Sequence, residues 1–156
     1  MCKKILMIAV CLMALTAVQV NAAVRDEITF PDIEGDTTIT ADMHMHTVFS
    51  DGTVWPTVRV QEAWRNGLDA ISITDHIEYL PHEDDVKPEF NRPYEIAKPE
   101  ADSMHIHLIR GVEITRDEPH GHFNALFLED CNAVNVPDQK DAVRIAYEQG
   151  AFITLS

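Results

Sequence analysis

Apolar and polar positions along the chain fall into one long greasy run followed by a series of short alternating or amphipathic stretches. Residues 5–20 are apolar apart from Cys11, Thr16 and Gln19, and nothing later in the chain matches that run. Residues 24–36 form an irregular lead-in, broken by Pro31 and by Gly35-Asp36. From there the pattern predicts strands over 37–44, 70–74, 106–114, 122–128 and 151–156, each a short apolar or alternating segment bounded by polar or turn-forming residues. Two helices are predicted. One runs from Pro56 to Gly67 with Val60, Ala63, Trp64 and Leu68 on one face. The other covers 138–149, with Ala142, Ile145 and Ala146 inward and Gly150 as its stop. Residues 77–98 carry Pro81, Pro88 and Pro93 and read as a long loop with a short helix around Tyr94 to Ala97. This order of elements predicts an α/β domain with mainly parallel strand pairing.

The first run is a secretory leader by its pattern: Lys3 and Lys4, then the apolar core, then the small residues Ala22 and Ala23. It is shorter than the roughly 20 residues that span a bilayer, and Val24-Arg25-Asp26-Glu27 follows it in place of a second anchor. Residues 1–22 are therefore assigned to a signal peptide and 23–36 to the lead-in, and the protein is expected in the periplasm or outside the cell, with no membrane association beyond the leader. Cleavage would leave 134 of the 156 residues, enough for one domain. Cys2 and Cys11 would leave with the leader, so Cys131 would have no internal disulfide partner. Loss of Lys3 and Lys4 would take the net charge from −14 to −16, an acidity that argues against stable nucleic-acid binding.

The candidate chemistry begins in Asp42-Met43-His44-Met45-His46-Thr47, followed by Ser50-Asp51-Gly52. On a strand, His44 and His46 are two residues apart and share a face, so two imidazoles can grip one metal. A carboxylate from Asp51 beside two nitrogen donors suits zinc, manganese or iron better than calcium. A His-x-His pair on a strand is equally compatible with plain polar surface, and what separates the two readings is recurrence. Asp75 and His76 end the second strand, Glu113 lies at the far end of the third, and His122 begins the fourth. Strand ends of a barrel converge on one mouth, so these positions become one site.

These stretches resemble the successive motifs of the PHP (polymerase and histidinol phosphatase) family of metal-dependent phosphoesterases: Asp-x-His-x-His-Thr with Ser-Asp-Gly, then Ile-Thr-Asp-His, Gly-Val-Glu-Ile and His-Phe-Asn-Ala-Leu. The resemblance implies a distorted (β/α)7 barrel with two or three divalent ions (Zn, Mn or Fe) at its mouth. It implies metal ligation by His44, His46, Asp51, His76, Glu113 and His122, with Glu113 bridging two ions. Asp42 and Asp75 fall at positions where a carboxylate orients an imidazole. Asp75 and His76 are the candidates for proton transfer to the leaving group. The implied reaction is hydrolysis of a small-molecule phosphate ester, mono- or diester, by metal-activated water. An amidohydrolase-like barrel also opens with His-x-His, and a non-catalytic metal-binding envelope protein is the reading from a different class.

The family's next motif is a His-Pro after the strand that here ends Ile153-Thr154-Leu155-Ser156, and later an Asp-x-His. Residues 37–156 are accordingly expected to be the amino-terminal part of a PHP-type domain, incomplete at its carboxyl end, with the reading frame continuing into His-Pro. Among the other histidines, His105 and His107 repeat the two-residue spacing, but six residues separate His107 from Glu113, about 20 Å along a strand, which places them at the other end of the barrel. His82 belongs to an acidic loop, and His120 competes with His122 on spacing. Trp55 and Trp64 read as packing residues. Arg110 and Arg116 flank Glu113, with surface ion pairing the simpler reading and phosphate recognition by Arg116 the alternative. Expressed in a bacterium, the protein should be recovered outside the cytoplasm and start near Ala23 or Val24; amino-terminal sequencing that finds Met1 on exported material would overturn the leader assignment.

Overall fold

The computed structural model describes residues 23–116 and 121–155; the leader, His120 and Ser156 lie outside the described residues. Five strands form one sheet in the order β1 (Ala41–Met45), β2 (Ala70–Ile73), β3 (His107–Arg116), β4 (Gly121–Leu126) and β5 (Phe152–Leu155). The sheet curls as half of a distorted barrel. Helices α1 (Pro56–Arg65), α2 (Arg92–Ser103) and α3 (Gln139–Glu148) cover its outer face. Among the described residues no helix is long and apolar enough to cross a membrane.

The expectation of mainly parallel pairing holds for β1–β2 and β2–β3 only, since β3–β4 and β4–β5 are antiparallel. The reason is connection length. β3 ends at Arg116 and β4 begins at Gly121, and the intervening residues are too few for the crossover that a parallel neighbour needs. β4 is a reversed strand set between two strands of like direction, because α3 then carries the chain back so that β5 runs with β3. This reversal puts the first residues of β4 beside the last residues of β3: Thr115 pairs with His122 and Glu113 with Asn124.

Two apolar clusters hold the helices to the sheet. Val60 and Ala63 of α1 and Ala97 and Ala101 of α2 pack on Ile71, Ile73 and Ile106. Ala142 and Ala146 of α3 pack on Val112, Ile114 and Ala125, with Cys131 and Val134 completing the group. Each fully buried Val or Ile stabilises the fold by about 1.5–3 kcal/mol. Trp64, Leu68 and Ile145 join these clusters part-buried.

The region expected to be mostly loop contains α2, twelve residues long and extending well beyond the short helix expected around Tyr94 to Ala97. Pro93 sits in its first turn, where a missing N–H has no helical partner to lose, and burial of Ala97 and Ala101 outweighs the hydrogen bond lost at Pro99. The lead-in docks on the end of α1. Arg25 pairs with Asp69 at 3.0 Å and bonds the Trp64 carbonyl at 3.2 Å, and the Asp26 N–H donates to the Arg65 carbonyl at 2.8 Å.

After β1 the chain folds back on itself in a tight loop, with the Val48 N–H bonded to the Val54 carbonyl at 3.0 Å and the Arg59 side chain to the His46 carbonyl at 2.8 Å. Gly52 presses on the backbone of His46 so closely that a Cβ there would lie 2.5 Å from the His46 carbonyl and the Thr47 nitrogen. Gly52→Ala should therefore destabilise the protein by about 1–3 kcal/mol, the usual cost of overpacking. Chemical denaturation checks this, and an unchanged midpoint would show that the loop relaxes freely.

Candidate metal centre

Glu113 is the hub of the site. It projects from β3 with 3% of its surface exposed, and Asp75 and Ile77 clamp its backbone: its N–H donates to the Asp75 carbonyl at 3.1 Å and its carbonyl accepts from Ile77 N–H at 3.2 Å. One carboxylate oxygen, Oε2, lies 3.1 Å from His46 Nε2, 3.6 Å from His44 Nε2 and 3.6 Å from His76 Nδ1. The other, Oε1, accepts from His122 Nδ1 at 2.7 Å and from the Thr115 hydroxyl at 2.8 Å. One carboxylate thus stands between two sets of imidazoles.

Asp51 faces the same imidazoles from the loop, with Oδ1 3.1 Å from His46 Nδ1 and Oδ2 3.8 Å from His76 Nε2. Two donor groups result. His44, His46 and Glu113 form one and His46, Asp51 and His76 the other, each with its donor atoms within 4.8 Å of one another. Two nitrogens and one carboxylate oxygen per group is a set that zinc, manganese or iron(II) accepts. His46 is common to both groups, Glu113 contributes to the first and lies 3.6 Å from His76 of the second, and His122 stands at its opposite oxygen.

Burial by itself would raise the Glu113 carboxyl, but hydrogen bonds from His46, His122 and Thr115 and the charge of His76 outweigh it and hold the group at about 2. Burial also works against the charged form of His46, yet Glu113 and Asp51 overcome it and raise the imidazole above its ordinary value. His76 moves the other way, because burial and the neighbouring His46 outweigh its carboxylate partners.

Asp75 acts on the loop after β1 and, through it, on an imidazole. It is 4% exposed, and its carboxylate accepts the Thr47 N–H at 2.6 Å, the Thr47 hydroxyl at 2.6 Å and the Ser50 hydroxyl at 2.7 Å. Asp75 therefore pins the loop that carries Asp51, and it reaches an imidazole only through Ser50, whose oxygen lies 3.2 Å from His46 Nδ1. Asp42, whose carboxylate is exposed, accepts the backbone N–H of His44 at 3.1 Å. Burial raises the Asp75 carboxyl against the pull of its Thr47 and Ser50 bonds.

Besides Thr47 and Ser50, the site holds Thr74, Thr115 and Asn124, none of which the sequence reading gave a role. The Thr115 hydroxyl lies 3.2 Å from both His76 Nδ1 and His122 Nδ1. His44 Nδ1 is 3.1 Å from the Thr74 hydroxyl and 2.7 Å from Asn124 Oδ1. Strand alternation was the signal available, since Thr115 follows Glu113 by two and Asn124 follows His122 by two.

Beside His76 and His122 a cavity of about 430 Å³ is walled by Glu78, Tyr79, Thr115 and Arg116. The Arg116 guanidinium is spent on Glu78 and on the carbonyls of Thr115 and Val136, which leaves phosphate recognition little of it. Arg110 lies over the Tyr94 ring at 4.3 Å and bonds the Glu129 carbonyl. His107 opens β3 opposite Ala70, away from the centre, and His82 sits in an exposed turn.

Because Glu113 is held below the ordinary carboxylate value of 4.5, at about 2, its stabilising bonds are complete above that ordinary value and vanish as pH falls through the lower one. In the metal-free protein the urea midpoint should fall across that window, and Glu113→Gln should flatten the slope. Identical slopes would show that Glu113 carries no such linkage.

The PHP domain model matches residues 42–148, more than half of the chain. No curated protein matches. Among solved structures, a two-domain protein of Bacteroides vulgatus containing a predicted PHP-like metal-dependent phosphoesterase aligns at 54% identity with a TM-score of 0.81. The alignment covers 85% of this chain and 39% of that one, so this chain spans well under half of its relative's length. A metal-dependent phosphoesterase of Bifidobacterium adolescentis aligns at 25% identity and TM-score 0.49, over 69% of this chain and 33% of that one. An amidohydrolase of Chromobacterium violaceum aligns at 20% identity and TM-score 0.50, over 65% and 32%, a likeness of fold alone. With the family model lying across every strand that contributes a donor to Glu113's cluster, the chain belongs to the PHP domain family of metal-dependent phosphoesterases.

Proposed function

We propose that this protein, in its complete form, is an exported hydrolase of small-molecule phosphate esters that works with two or three divalent ions. The observation that carries the reading is Glu113, whose two carboxylate oxygens face His44, His46 and His76 on one side and His122 on the other. A single buried carboxylate set between imidazoles is suited to join two ions. His44, His46, Asp51, His76, Glu113 and His122 are the residues assigned to hold them. The ions, when bound, would supply water activated at neutral pH and positive charge against the negative charge that develops on the phosphoryl and leaving-group oxygens.

The chain's own residues supply position. Asp75 holds the Asp51 loop through Thr47 and Ser50, and Thr115 steadies Glu113, so the donors are fixed before any ion arrives. His76 and His122 line the cavity next to the cluster, which supports a reading in which a substrate entering it would meet them. The leader pattern of residues 1–22 supports export, and the acidity of the remaining chain supports a small substrate rather than nucleic acid.

The test uses the complete protein, bis-p-nitrophenyl phosphate, p-nitrophenyl phosphate, and a metal count. Turnover of either ester with about two or three ions bound is the expected result. His44→Ala should lower turnover by at least about 100-fold, since even outer partners of ligands are worth 10–100-fold, and should lose metal with little loss of secondary structure. Metal bound without turnover of either ester would favour a metal-binding envelope protein instead, and full activity in the variant would remove the role given to His44.

A further inference from the structure

We propose that Asn124 is a positioning residue that fixes the tautomer and aim of His44, a role that rests on reading His44 as a metal donor. Asn124 lies on β4 directly across from Glu113 on β3 and from Thr154 on β5, and is 4% exposed. Its Oδ1 is 2.7 Å from Nδ1 of His44, which comes from β1, eighty positions away in the sequence. The Thr74 hydroxyl lies 3.1 Å from the same nitrogen, and that hydroxyl is also 3.5 Å from the Met45 carbonyl.

An amide oxygen only accepts, so this contact requires the proton on Nδ1 of His44. Nε2 is then the nitrogen with the free lone pair, and it is the nitrogen that faces the cluster, 3.3 Å from His46 Nε2 and 3.6 Å from Glu113 Oε2. A histidine donor with an exposed side chain, 40% accessible here, would otherwise rotate or take the other tautomer. An amide suits the task better than a carboxylate at this place. Glu113 and Asp75 are already buried, and a third buried charge would be costly to desolvate, whereas a neutral acceptor orients the ring without adding one.

The consequence is a coupling across the sheet, from β1 to β4. The first motif of the chain is correctly aimed only when the β3–β4 hairpin has formed, because the residue that aims it sits on β4.

The experiment reads the ring nitrogens of His44 by 15N NMR in the metal-free, full-length protein, at a pH well above the ordinary imidazole value of about 6.5. The wild type should show Nδ1–H, and Asn124→Ala should show a mixture or Nε2–H. Zinc affinity, measured with zinc alone, should drop about 10–100-fold in Asn124→Ala, with Asn124→Asp restoring the Nδ1–H signature. Nε2–H in the wild type would overturn the proposal, and so would an Asn124→Ala protein with wild-type tautomer and zinc affinity. Should Asn124→Ala fail to fold, the wild-type spectrum decides. Neither readout involves a phosphate ester, so a protein that shows this tautomer pattern yet hydrolyses no ester would defeat the proposed function and leave Asn124's role standing.

Discussion

A carboxylate with 3% of its surface exposed cannot stay charged unless the fold surrounds it with donors, and Glu113 is the point at which this requirement is met. Its partners come from the end of β1, the end of β2, its own strand and the start of β4. Each of those elements must therefore arrive at one level of the sheet. The curl of the sheet and the reversed β4 strand are what deliver them there.

Asp75 answers a similar demand one layer down. It is buried beside Glu113's backbone, and it is compensated by hydroxyls and an N–H of the loop after β1 instead of by imidazoles. The two acids share the work in this way: one gathers the donors, the other fixes the loop that brings Asp51 to them. Gly52 belongs to the same device, because the loop can close only where no side chain stands between it and His46.

The acidity of the chain takes on a local meaning here. Asp51, Asp75 and Glu113 lie within one centre together with four imidazoles, an arrangement that repels itself or recruits protons until cations balance it. The raised His46 and the depressed Glu113 are the metal-free form of that balance, with protons standing where the donor set favours divalent ions.

Sequence alone determined most of the elements and the candidate donors. The amphipathic faces of α1 and α3 and the apolar strands were legible because burial of one face leaves a period in the chain, and His44, His46, Asp51, His76, Glu113 and His122 stood out as candidate donors because such residue types recur near strand ends and match the motifs of the family the chain resembles. Helix α2 was underestimated because prolines were read as breaks, while the packing of Ala97 and Ala101 that holds it together lies between elements distant in sequence. The direction of β4 was likewise missed, and it is what places His122 at its first turn of strand beside Thr115. Asp75 was recognised as part of the site, but its partner depended on how the loop after β1 folds over it. Strand alternation put Asn124 on the face of His122, but whether an asparagine on β4 meets a histidine on β1 is decided by the curvature of the sheet between them, a property of how five strands pack and not of any one stretch of residues.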